Sequence, residues 1–138
     1  MRLAFINIYS YHAFMAKTTP ITPAATYRAI VGRLLVNHRT SQKLEQQDLA
    51  AAVGVTQSTW SRIETGASSL SLDQLKRACD RLKILPADLL RQADDATARL
   101  SRQGVSIVTT PKEPAESTLA FLGGAALAAL ILSAVAKK

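Results

Sequence analysis

The stretch from Gln46 to Gly66, QQDLAAAVGVTQSTWSRIETG, leaves a chain of this kind few ways to fold. Gln46 to Val53 has the composition and spacing of a short helix, and Thr56 to Thr65 has those of a second. Gly54-Val55 lies between them. A helix must end there and the chain must swing through a left-handed conformation, which glycine adopts without steric cost. Thr56 is suited to cap the second helix, because its hydroxyl can accept an orphan backbone N–H. Leu49, Ala50, Val53, Val55, Trp60 and Ile63 recur at spacings that let the two helices bury one seam, with small Ala50 where they cross. Gln57, Ser58, Ser61 and Arg62 are left on the outer face of the second helix, polar and free to touch another molecule.

The residues around this pair extend the pattern. Tyr27, Ile30, Val31, Leu34 and Leu35 form an apolar stripe, which predicts a helix from about Ala24 to His38. Ser71 with Gln74 makes a capping box for a fourth helix, whose buried side is expected to hold Leu72, Leu75, Cys79 and Leu82. Pro86 opens a fifth at the position a helix tolerates it, with Leu89 and Leu90 closing the core and a continuation to about Arg102. Thr40 to Glu45 is the loop into the second helix.

Gln46, Leu49-Ala50, Gly54-Val55, Ser61-Arg62-Ile63-Glu64 and Gly66 resemble the helix-turn-helix of the Cro/CI-type (Xre-like) DNA-binding family. The likeness runs from about Ala24 to about Leu90. It implies an all-α fold with a compact five-helix, lambda-repressor-like domain over 24–103. In that family the second helix of the pair enters the major groove of DNA. Carried over by position, Gln57, Ser58 and Arg62 face base edges, with Ser61 nearby, while Gln46, Lys43 and Thr56 lie by backbone phosphates. Gln can bond adenine and Arg guanine in bidentate fashion. The resemblance also implies that Arg39 pairs with Glu64 as a structural ion pair, for which the guanidinium fork suits a carboxylate. It further implies a homodimer formed near the last helix. Two departures stand out. Glu45 stands where relatives carry a Ser or Thr cap, and Ala67 to Leu70 lacks the basic residue and proline common in that loop.

Composition is compatible with these expectations. The chain carries a net charge of +7, and the span Ala24–Gln103 holds 12 basic and 8 acidic residues. A moderately basic domain suits a polyanion such as double-stranded DNA. The single cysteine, Cys79, excludes an intramolecular disulfide, offers no zinc pattern and falls where a small buried residue is needed. There is no nucleophile–base pair, paired carboxylate cleft, metal-ligand spacing or phosphate loop, so neither an enzyme nor a cofactor is expected.

The two ends read differently. Met1 to Phe14 is rich in aromatics, and Asn7, Ser10 and His12 interrupt it, so it is no signal peptide. Translation is expected to begin at Met15, the first 14 residues being a misassigned start; the other reading is an arm that packs locally. Residues 1–23 are thus an extension and linker, with Thr18 to Pro23 rich in Pro and Thr. Residues 104–117 read as a second linker. Val105 to Val108 has strand character there, but no evident partner strand. Thr118 to Ala136 carries no charge over 19 residues. As one helix it would reach about 28 Å, close to a bilayer's hydrocarbon thickness. Residues 118–136 are therefore expected to be a transmembrane helix, the alternative being an Ala-rich helix for oligomerisation. Gly124 and Ala128 form a small-xxx-small pair.

Together these readings predict a bacterial or phage transcriptional regulator that binds DNA as a homodimer. The domain would sit in the cytoplasm and be tethered to the inner membrane. Two alternatives are a membrane-anchored scaffold whose helix-turn-helix holds a protein, favoured by the missing basic loop after Gly66, and an antitoxin-like regulator.

Overall fold

The computed structural model describes residues 22–108, 119–121 and 124–135. Chain order is β1 (Thr22–Thr26), α1 (Tyr27–Ser41), α2 (Gln46–Val53), α3 (Gln57–Glu64), α4 (Leu72–Leu82), α5 (Pro86–Arg102), β2 (Ser106–Val108), β3 (Leu119–Phe121) and α6 (Gly124–Val135). The expected pair of short helices is α2 and α3, and the five helices of the domain follow in the expected order. The readings at 1–14, including a start at Met15, fall outside the described residues.

Local chemistry sets most of the boundaries. Thr26 caps α1, its hydroxyl accepting from the Ala29 N–H at 3.2 Å. Thr56 does the same for α3, accepting from Thr59 at 3.1 Å. Ser71 and Gln74 exchange bonds of 3.1 and 2.9 Å at the start of α4, the reciprocal capping box expected there. At α2 the weak cap Glu45 is helped by Asp48, whose carboxylate accepts the Glu45 N–H at 2.7 Å. Gly54 ends α2 at φ 82°, in the left-handed region. Pro86 opens α5, which runs to Arg102.

The core lies where α1, α2, α3, α4 and α5 meet. Trp60, Ile30, Leu34, Leu35, Leu49, Leu82 and Leu89 are fully buried in it, as is Cys79. Burial pushes the Cys79 thiol above its ordinary pKa, and neighbouring Asp80 adds to the shift. Leu72 departs from expectation: it is 82% exposed, because as the first residue of α4 it precedes the turn that meets the core. Ala78, fully buried, takes a place on the inner face instead. His38 is half-buried and bonds Gln92 through Nε2 at 3.1 Å.

The ends of the domain require the larger corrections. The fold is not all-α. Residues expected to start the first helix form β1, and α1 begins at Tyr27. β1 is the middle strand of a three-stranded parallel sheet ordered β2-β1-β3. Ala24 pairs with Ser106 on one side and Phe121 on the other. Ala24 and Ala25 are buried, so small side chains let the strand lie close to the helices. Pro23 is tolerated because β2 pairs only with Ala24 to Thr26, leaving the strand one-sided at the proline. The supposed linker at 104–117 supplies β2. Gly104 turns at φ 82° after α5, and the Val105 N–H bonds Leu100 O at 3.0 Å, which directs the chain back along the sheet.

The apolar tail is neither one helix nor separate from the domain. Leu119–Phe121 is β3, and α6 has 12 residues, a length of about 18 Å. That falls well short of a hydrocarbon core of about 30 Å. Among the described residues no helix is long and apolar enough to cross a membrane. α6 packs on α1 and α5, with Leu127 and Ile131, one turn apart, at 2% and 0% exposure. Leu127 and Ile131 are buried against the domain's own helices, whereas Leu132 is 55% exposed; hydropathy alone does not separate packing on protein from burial in lipid.

Candidate nucleic-acid interface

The outer face of α3 is held in place from beneath by Glu64, the last residue of the helix. Its side chain is 3% exposed and accepts four hydrogen bonds. Arg39 from α1 donates through Nε to Oε1 at 2.6 Å and through Nη2 to Oε2 at 3.0 Å. Gln46 from α2 donates to Oε2 at 2.6 Å. Trp60, one turn back on α3, donates its indole N–H to Oε1 at 2.7 Å. A buried carboxylate without partners would be costly; here both oxygens are satisfied, and three helices converge on them. Arg39 also donates to Leu44 O at 2.9 Å, which fixes the loop entering α2. The Arg39–Glu64 ion pair expected from the resemblance is present, at 2.6 Å.

The network reaches the surface. The side-chain oxygen of Gln46 accepts from Gln57 Nε2 at 2.6 Å. Glu64 thereby orients Gln46, and Gln46 orients the carboxamide of Gln57, the first residue of α3. One Gln57 N–H and both lone pairs of its oxygen remain for a ligand. Gln57, Ser58 and Arg62 are exposed, and Ser61 is half-exposed beside them, whereas Trp60 and Ile63 are buried. The four residues expected to read bases thus occupy the open side of α3. Of those expected near phosphates, Lys43 and Thr56 are exposed. Gln46 is half-buried, its side chain engaged with Glu64 and Gln57.

Close backbone approach seats α3 on α1. A Cβ at Gly32 would lie 2.5 Å from Ile63 O and 2.6 Å from Glu64 O. Gly66 has φ 79°, and a Cβ there would lie 2.5 Å from Ala29 Cα. The seam between α2 and α4 is fixed by Arg77, whose Nη1 donates to Val53 O at 3.0 Å across the end of α2.

Three contributors carry little or no signal in the sequence. Trp60 is a core residue, as expected, and also a donor to Glu64, a role for which the i, i+4 spacing is the one local sign. The Gln46–Gln57 bond joins residues on two helices and leaves no periodic trace. Arg77 lies on α4, whose pattern gives no hint that it reaches α2. Among the described residues, no group of three His, Cys, Asp or Glu side chains is placed to hold a metal.

Residues 30–93 match a family model described as a helix-turn-helix domain. The crystal structure of the clp gene regulator ClgR from Corynebacterium glutamicum is similar to this chain. It has 27% sequence identity and a TM-score of 0.54, and the match covers 56% of this chain and 82% of that one. A second structure of the ClgR regulator from that organism aligns at 28% identity and a TM-score of 0.47, over 49% of this chain and 88% of the other. No curated protein matches the chain significantly.

Proposed function

We propose that this protein is a transcriptional regulator that recognises double-stranded DNA through the exposed face of α3. The observation that carries this reading is the relay from Glu64 through Gln46 to Gln57. It spends buried polar groups on orienting the side chain at the head of an otherwise open polar helix face. Gln57 can then bond adenine with its oxygen and remaining N–H, and Arg62 can bond guanine O6 and N7. Ser58 and Ser61 add shorter-range contacts. Lys43, Thr56 and Gln46, with the N-termini of α2 and α3, hold phosphates on either side. The similarity to a regulator of clp genes supports a regulatory role. The protein acts as a homodimer formed at the surface of α5, each protomer reading one half-site.

Selection of bound sequences from random duplexes, run on wild type, Arg62→Ala and Lys43→Ala, tests the assignment. Wild type should enrich one motif. Arg62→Ala should lose preference at one position, at a cost of about 1–3 kcal/mol for the preferred base pair. Lys43→Ala should weaken binding to all duplexes alike and lower the salt dependence by about one phosphate contact. A wild-type protein that enriches no motif, or an Arg62→Ala variant with unchanged preference, contradicts the reading.

A further inference from the structure

Arg28, on the first turn of α1, differs from its fellow arginines. Arg39 is paired with Glu64, Arg77 donates to Val53 O and Arg91 is paired with Asp88. Arg28 has no such partner among the described residues. The residue is half-buried and its Nε is shielded, so the two Nη groups are the part of the guanidinium left for a ligand.

The loop leaving α3 runs past this side chain. Gly66 is pressed against α1, where a Cβ would lie 2.5 Å from the Ala29 Cα. The chain then passes beside the last turn of α3, the Ser68 N–H bonding Arg62 O at 3.0 Å. Arg28, Ser68 and Ser69 line one groove there, open to solvent, and Ser69 is exposed. Ala67 to Ser71 carries no charge, and no carboxylate lines the groove, so Arg28 is its one charged residue. Tyr27, beside it, donates its hydroxyl to Asp94 instead, at 2.8 Å.

We propose that Arg28 and Ser69 hold a phosphate of the DNA backbone beside the end of α3, a contact separate from those at Lys43, Thr56 and Gln46. The proposal rests on the reading of α3 as the helix that enters DNA. A helix is about 10–12 Å across and the major groove about 12 Å wide, so α3 fills the groove. Groups that flank the helix then meet the sugar–phosphate ridge, not base edges. A backbone phosphate carries a single negative charge, which one guanidinium matches with two parallel N–H bonds. The Ser69 hydroxyl is a further donor to the same oxygens. Such a contact adds affinity and fixes register but reads no sequence.

The test measures binding of the full chain to its selected duplex across a salt series, for wild type, Arg28→Gln, Ser69→Ala and Arg81→Gln. Arg28→Gln should lower the salt slope by about 0.9, the value of one phosphate, which amounts to about eightfold weaker binding near 0.1 M salt. The selected motif should stay the same. Ser69→Ala removes an uncharged donor and should weaken binding about threefold with no change of slope. Arg81 is exposed at the far end of α4, about 15 Å of helix from the loop and beyond the Debye length of about 10 Å, so Arg81→Gln should match wild type. An unchanged slope in Arg28→Gln, an equal loss in Arg81→Gln, or unchanged binding by Ser69→Ala would each overturn the contact. If Arg28→Gln proves unfolded by Trp60 fluorescence, Ser69→Ala decides, since it alters only an exposed loop side chain. A wild type that binds no duplex would overturn the DNA reading as well, whereas a wild type that binds with an unchanged Arg28→Gln slope overturns this contact alone.

Discussion

Replacing Glu64 by Gln removes a charge and one acceptor oxygen while keeping the shape of the side chain. Arg39 is left with its side chain 11% exposed and without a counter-charge. Removing one partner of a buried ion pair costs about 3–5 kcal/mol. Arg39 retains its bond to Leu44 O and a little solvent, which puts the loss toward the lower end of that range. The new amide also turns an N–H toward donors, so either Trp60 or Gln46 loses its acceptor. A total near 3 kcal/mol is a large part of the 5–15 kcal/mol typical of a small domain. Trp60 is the only tryptophan, so its fluorescence reports unfolding in urea and the loss of the bond at its indole N–H. In a double-mutant cycle, Arg39→Met alone should cost a similar amount, and the two losses together should fall well short of their sum. A loss below about 1 kcal/mol for Glu64→Gln, or strict additivity with Arg39→Met, would refute the account of α3 as seated on a buried charge pair.

Three further predictions concern the rest of the fold. Lys83 ends α4 at φ 56°, in the left-handed region, so Lys83→Gly should raise stability by roughly 0.5–1 kcal/mol in urea unfolding. Ile131 is fully buried between α6 and the domain, and Ile131→Ala should cost about 2–5 kcal/mol in the same transition as Trp60; an unchanged midpoint would mean that α6 does not pack on the domain. Burial, followed by the bond to Asp94, pushes the Tyr27 hydroxyl up to about 12, from 10.0. The folded state thus holds this proton more tightly than the unfolded state, and stability present below pH 10 should fall as the pH rises toward 12. Tyr27→Phe should flatten that alkaline decline in melting temperature.

What could be read in advance tracks how local each signal is. Thr56, Ser71, Gly54 and Pro86 act on their own helices, and each does what its chemistry dictates. The apolar stripe of α1 also marks the core, because helical periodicity is repeated over several turns. Parallel strands give no such trace. β1 takes three positions from each neighbour, β2 and β3 are three residues each, and they lie far apart in sequence. The tail misled for a related reason. Nineteen uncharged residues do not say whether a segment packs on protein or spans lipid, and the Gly123-Gly124 pair inside the run is a local sign against one continuous helix. At the interface, the exposed residues of α3 follow from which positions the core claims. The relay beneath them does not, because Arg39, Gln46, Gln57 and Glu64 come from three helices and meet only when the fold is complete.

Amide chemical-shift mapping of the protein against its selected duplex shows whether the open face of α3 contacts DNA. The largest shifts are expected at Thr56 to Arg62, with smaller ones at Lys43 and Gln46, all weakening together as salt is raised. Shifts concentrated on α5 or α6, with α3 unmoved, would contradict that contact.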